Sequence, residues 1–180
     1  MITSRGLIDY QWPKVDPLPF YENQFESYAS NIVIQEIESF FEKIFQHPVL
    51  LVPSARSAIS ILLDYHNISR GDIVFAPRWS SHCVWNVVGR YANPSSTFSQ
   101  DISTVIAVHK FGRISKLQTK FNELLIEDSV DSLFITPNSF FPNNGRYEIL
   151  SLPKIIGSVA GGLIICKDLN DAINLRETLS

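Results

Sequence analysis

The chain of 180 residues has only two cysteines, Cys83 and Cys166. They are too few and too far apart for a disulfide framework or a thiolate metal cluster, so a reducing, cytoplasmic setting is expected and no metal site is. Blocks of lysine and arginine are missing too: with a net charge of -3 and no basic run, the electrostatic footprint of a nucleic-acid binder is absent. The longest apolar runs, 49–52 and 163–166, are far too short to cross a bilayer, and residues 1–12 have no charged-then-apolar leader pattern. A soluble, unprocessed protein without a membrane partner is therefore predicted. There is no internal repeat, and no Gly-x-Gly-x-x-Gly follows the first expected strand, which argues against a Rossmann dinucleotide binder.

What remains is 45% hydrophobic and 18% charged, with 12 phenylalanines, the profile of a globular protein long enough to bury a core. Residues 1–30, rich in proline and aromatics and without periodicity, read as an extended arm, and residues 31–180 as one domain. Apolar residues at helical spacing predict a helix over 31–46, and Ser54 caps a second that runs toward Asn67. A third helix lies near 84–88, a polar one near 115–122 and a last from about 169. Strands are expected at 47–52, 73–76, 96–98, 104–108, 124–127, 148–152 and 162–166, with 134–146 as a proline-rich irregular stretch. Short apolar strands alternating with helices predict an α/β fold, a three-layer α/β/α sandwich around a mostly parallel, mixed sheet.

Chemistry-bearing residues fall one after another at the strand ends. Ser54-Ala55-Arg56-Ser57 stands where a strand gives way to a helix, a place where free amides, hydroxyls and the helix dipole favour an anion. Pro77-Arg78-Trp79-Ser80-Ser81-His82 could set a flat ring against a planar ligand, and His109-Lys110-Phe111-Gly112 follows the next long strand. Asp128 closes an apolar strand, and Lys154 follows another. A lysine that can form a Schiff base and an acid that can hold a pyridine nitrogen protonated are the pair a pyridoxal phosphate (PLP) site needs.

In these segments the chain resembles the DegT/DnrJ/EryC1/StrS family of PLP-dependent sugar aminotransferases, which have the fold type I architecture, over about residues 31–167. Residues 52–59 resemble its Ser-Gly-Thr-x-Ala-Leu phosphate turn and 70–77 its Pro-Gly-Asp-Glu-Val-x-x-Pro strand. Residues 108–112 are similar to its Val-His-x-x-Gly, 126–132 to its Glu-Asp-Ala-Ala-Gln-Ala, and Lys154 through Gly161-Gly162 to its Lys-x-x-x-x-x-Glu-Gly-Gly. The resemblance implies that Lys154 binds PLP covalently and serves as general base, and that Asp128 pairs with the pyridine nitrogen. It also implies that Ser54, Ala55, Arg56 and Ser57 cradle the phosphate. A lysine must be neutral to attack, which burial or a neighbouring cation such as Arg56 could achieve. Ser81 takes the place of the ring-stacking aromatic, leaving His82 or Trp79 for that role. Asp131 stands where the family has a glutamine near the cofactor phenolate, which a carboxylate would repel unless protonated or turned away, and Ala160 replaces a glutamate.

Implied in addition are a nucleotide-linked keto-sugar as substrate, an amino acid as amino donor, a role in polysaccharide or deoxy-aminosugar synthesis, and a homodimer to which the arm contributes. Family members are longer, with a C-terminal domain that helps enclose the site, so the resemblance implies the large domain alone. A non-catalytic relative serving as subunit or scaffold in such a pathway is the alternative expectation.

Overall fold

The structure, a computed structural model, describes residues 31–117, 124–132 and 137–179. Seven strands form one sheet: β1 (Val49–Val52), β2 (Ile73–Phe75), β3 (Asn93–Ser95), β4 (Ile102–Val108), β5 (Leu124–Asp128), β6 (Tyr147–Ser151) and β7 (Gly162–Cys166). Their order is β1-β7-β6-β5-β4-β2-β3. Neighbours from β3 to β6 run parallel, while β7 is antiparallel to both β6 and β1. This is the mostly parallel, mixed sheet expected from the sequence. β1 and the parallel strands all end at one edge.

Among the described residues five helices accompany it: α1 (Asn31–Phe45), α2 (Ala55–Tyr65), α3 (His82–Tyr91), the single turn α4 (Leu152–Ile155) and α5 (Leu169–Leu179). The two-residue period of the strands divides the core. Ile106, Ile126, Tyr147, Ile149 and Ile164 pack with α2, α3 and α5 on one face. On the other, Val49, Leu150, Leu163 and Ile165 meet Phe41 and Phe45 of α1 together with Phe140 and Phe141. Helix α1 also finishes the sheet edge: Glu42 and Glu38 accept hydrogen bonds from the outward amides of Val49 (3.2 Å) and Leu51 (2.7 Å), so edge strand β1 is not left open. Arg176 of α5 locks the arrangement by donating to both glutamates and to the Val49 carbonyl.

The expected elements fall within a few residues of those found, with instructive differences. The extended piece expected at 96–98 lies earlier, as β3, because Pro94 is tolerated there: β3 is the outermost strand, where a missing amide costs no ladder bond. Residues 115–117 are not helical, and the rest of the helix expected over 115–122 lies outside the described residues, as does the arm 1–30. The irregular stretch expected over 134–146 contains, in its described part, a 3-10 turn (Pro137–Ser139) followed by two buried rings, Phe140 and Phe141. Lys154 sits in α4, the helical turn that follows β6.

Candidate active site

Asp128 is the last residue of β5 and is 1% exposed. Its position in the alternation turns it toward the face covered by α2 and α3, with Ile126, while Glu127 points to the opposite face. One carboxylate oxygen, Oδ1, accepts from the Val130 amide at 3.1 Å; Oδ2 has no hydrogen-bond partner among the described residues. Burial pushes the carboxyl up to about 6. The Val130 amide opposes that shift, Asp131 adds to it, and Lys154 and, last, His109 pull back. Asp131 and Lys154 thus lie in the electrostatic neighbourhood of Asp128.

Lys154 reaches this neighbourhood from α4. Its Nζ donates to Asp131 Oδ1 at 2.6 Å, with the lysine side chain half-exposed and that of Asp131 about a quarter exposed. Of the two ways the sequence offered to keep the lysine neutral, burial or a cation such as Arg56, neither is seen: the lysine is half-exposed, its neighbour is a carboxylate, and Arg56 is exposed on α2. The same contact resolves the position of Asp131, which is turned to the lysine.

The turn at Ser54 is joined to this edge through backbone. Gly161 donates its amide to the Pro53 carbonyl (3.1 Å), and Val52 pairs with Gly162 in the sheet, which pairs on its other side with Ser151. A Cβ on Gly162 would lie 2.4 Å from the Ser54 carbonyl carbon and 2.5 Å from the Ala55 nitrogen, so only a glycine lets the turn sit this close. Ser54 caps α2, its Oγ accepting from the Ser57 amide at 3.1 Å and lying 2.9 Å from Ser57 Oγ. The Ala58 amide bonds the Ser54 carbonyl, which leaves the amides of Ala55 and Arg56 without protein acceptors among the described residues. His82 begins α3 at the same edge and is exposed, making no hydrogen bond to the other site residues.

These groups fit PLP. A buried carboxylate with an unpartnered oxygen suits a pyridine N–H, a helix start with two free amides and two hydroxyls suits a phosphate, and an amine lies beside the carboxylate. Among the described residues none is seen to occupy the ring-stacking place, with Trp79 drawn instead to Lys110.

Two residues that the sequence reading placed at these strand ends without a role, Glu127 and His109, form a network. Glu127, fully buried, accepts from His109 Nε2 (2.8 Å), from the amides of Asn143 and Gly145 (2.9 Å each) and from Asn143 Nδ2 (2.9 Å). Burial alone would raise its pKa, but the His109, Gly145 and Asn143 bonds together hold it below the ordinary glutamate value. His109 carries its ring proton on Nε2, because Nδ1 accepts from the Ser115 amide at 3.0 Å. Its backbone amide donates to the Asp128 carbonyl (2.8 Å). The network thus ties β4, β5 and the 143–145 loop together directly behind Asp128. A charged residue inside a strand buried on both faces was the available signal, since such a group must be partnered.

A family described as "Putative PLP-dependent aminotransferase" matches residues 37–179. No curated protein sequence matches the chain. Among solved structures, NtdA from Bacillus subtilis with bound cofactor PMP is similar with a TM-score of 0.67 at 16% identity, over 79% of this chain and 38% of that one. A DegT DnrJ EryC1 StrS aminotransferase from Brucella abortus gives 0.64 at 18%, over 81% and 49%. GDP-4-keto-6-deoxymannose-3-dehydratase (ColD), an H188N mutant with bound GDP-perosamine, gives 0.61 at 15%, over 75% and 44%. The chain therefore spans less than half the length of these proteins, and the likeness establishes the fold, that of the large domain of PLP-dependent sugar aminotransferases.

Proposed function

Since the chain belongs to this family of PLP-dependent aminotransferases, we propose that it holds PLP through Lys154, Asp128 and the turn at Ser54–Ser57 and moves an amino group from an amino acid to the keto carbon of a nucleotide-linked sugar. The observation that carries the reading is the buried, half-satisfied carboxyl of Asp128, with Lys154 in its electrostatic neighbourhood. When bound, PLP supplies an aldehyde that an amine can attack and a ring that withdraws electrons from the carbon beside that nitrogen.

Each residue then has a defined task. Asp128, buried and ionised above about pH 6, would hold the pyridine N–H, where a low local dielectric would make the pairing strong. The Ala55 and Arg56 amides and the hydroxyls of Ser54 and Ser57 receive the phosphate. Lys154 Nζ leaves Asp131, and as a free amine it carries protons to and from the substrate carbon. Asp131, once released, lies near enough to take up or return the lysine's proton.

The keto-sugar nucleotide is supported by the sequence resemblance and by the GDP-perosamine found in one structural relative. A homodimer is supported by the apolar surface around α1 and α4: Ile32, Phe40, Ile156 and Val159 are all well exposed, beside a groove of about 790 Å³. No helix among the described residues is long and apolar enough to cross a membrane, which is compatible with a cytoplasmic site of action.

The test is spectral. Purified protein given PLP should develop an absorbance band near the visible edge that borohydride fixes, and Lys154→Ala should abolish it; a colourless wild type refutes the proposal. The Lys154–Asp131 pair favours a second reading, a non-catalytic subunit of the same pathway, because an ammonium held by a carboxylate is no nucleophile. Amino transfer from glutamate to a keto-sugar nucleotide by the purified chain eliminates it.

A further inference from the structure

The turn after β4 is built at a cost. Phe111 (φ 54°) and Gly112 (φ 73°) both lie in the left-handed region, and the Arg113 amide donates to the Lys110 carbonyl at 3.0 Å, so residues 110–113 form a type I′ turn. Glycine accepts this conformation freely; phenylalanine does not. The ring gains nothing by burial in return, being 80% exposed. Strain of this kind persists only where the surroundings enforce it, and here they do: the Gly112 amide donates to Ser132 Oγ (2.9 Å), and the Ser132 hydroxyl donates to the His109 carbonyl (3.0 Å).

The enforced ring is one wall of a cleft of about 670 Å³, lined by Trp79, Val108, Lys110, Phe111, Arg113 and Ser115 among others, a size suited to a small organic ligand. Trp79 is half-exposed. Lys110 Nζ lies 5.7 Å from the centroids of both the Trp79 and the Phe111 rings and donates to the Trp79 carbonyl at 3.2 Å. Neither Lys110 nor Arg113 pairs with a carboxylate among the described residues, so Lys110, lying over both rings, and Arg113, lining the same cleft, are two cations without a described counter-charge on a chain whose net charge is -3. Flat π-faces call for a flat aromatic ligand, and paired cations beside them for a polyanion attached to it. The cleft opens at the sheet edge that carries Lys154, and Ser132, which pins its turn, is the neighbour of Asp131.

We propose that Trp79, Lys110, Phe111 and Arg113 form the site that recognises the nucleoside diphosphate part of the substrate, the base against the rings and the diphosphate on the two cations. The substrate class rests on the function proposed above; the location and residues rest on this cleft.

The full-length protein without added PLP is titrated with UDP, GDP, the free nucleosides and inorganic pyrophosphate, following tryptophan emission and heat. Binding of at least one of the diphosphates is expected, with its nucleoside and pyrophosphate each far weaker because each keeps only half of the recognition. Lys110→Ala and Phe111→Gly should each weaken it by about tenfold or more, the loss of one charged contact or one stack. Phe111→Gly should melt at an equal or higher temperature, because it relieves the turn while removing the ring. No binding by wild type, or undiminished binding by both variants, overturns the inference; if Phe111→Gly instead splits an oligomer and leaves nucleotide binding untouched, the face serves a second copy of the chain. A protein that takes up PLP at Lys154 but ignores nucleotides sinks this inference alone, and one that binds nucleotides but never colours with PLP sinks the proposed chemistry alone.

Discussion

Lys154 Nζ rests 2.6 Å from Asp131 Oδ1, so the proposed nucleophile and an acid that departs from the family pattern are partners of each other. Whether this disables the lysine is a question of magnitude. With the lysine half in solvent, such a pair is worth about 1 kcal/mol or less, far below what covalent capture of a cofactor can offset. The contact holds the lysine ready without locking it.

It follows that Asp131→Asn should retain PLP uptake, with an affinity changed by about fivefold at most, whereas Lys154→Ala should lose it altogether. Titration of the absorbance band in both variants checks this. A change of several hundredfold in Asp131→Asn would show that the pair is a true lock and would favour the non-catalytic reading.

Two buried carboxyls give the fold a pH dependence with a definite sign. Burial raises Glu148 from 4.5 to about 7 despite hydrogen bonds from the Phe141 amide and Ser129 Oγ, with ionised Glu127 adding to the shift; Asp128 rises from 3.8 to about 6. Each holds its proton in the folded chain after the unfolded chain has released it, so unfolding free energy falls as pH rises across the window from about 4 to 7. The contribution is complete below that window and lost above it. Glu148→Gln, which imitates the protonated form with its oxygen to Phe141 and its amide to Ser129, should flatten the decline and add on the order of 2–3 kcal/mol at pH 8 by denaturant melts.

Asp128→Asn separates stability from chemistry. Removing a buried charge should leave the apoprotein as stable at pH 8 or more so, while amino transfer falls by about a hundredfold or more, because the amide cannot hold a proton on the pyridine nitrogen. Thermal melts and turnover on the same sample read both effects, and equal turnover would remove Asp128 from the site.

Glu127 should be the less forgiving neighbour. Both of its oxygens face only donors, namely His109 Nε2–H, Asn143 Nδ2–H and the amides of Asn143 and Gly145. A glutamine there must aim its own N–H groups at some of them, so Glu127→Gln is predicted to cost about 2–4 kcal/mol although it alters one atom. Melting with urea measures it.

The elements the sequence revealed best were those whose physics is local. β4, β5 and β7 appear as unbroken apolar runs because they are covered on both faces, and α2 shows its Ser54 cap. The places of Asp128 at the end of β5, Ser54 at the start of α2 and Lys154 just after β6 were legible because turn chemistry and strand ends mark such positions. Glu127 and Glu148 were not, since their cost is met by partners brought from 109, 129, 141, 143 and 145, which no local pattern announces. The Lys154–Asp131 contact likewise depends on the distance between two turns.

The closest approach in the site gives the sharpest packing test. Gly162 lies where a Cβ would stand 2.4 Å from Ser54 C and 2.8 Å from Ser54 O, and those are backbone atoms that cannot rotate aside. Gly162→Ala must therefore push the Ser54–Ser57 turn off β7, costing about 1–3 kcal/mol and displacing the two free amides of α2. Gly89→Ala is the control: it lies within α3, its added methyl meets nothing within 4 Å, and it should stabilise the helix by up to about 1 kcal/mol. If the turn holds the phosphate, Gly162→Ala should lose PLP affinity by about tenfold or more, a 1.4 kcal/mol step for each tenfold, while Gly89→Ala keeps it. Retained affinity in a destabilised Gly162→Ala would mean that the phosphate rests elsewhere on the sheet edge.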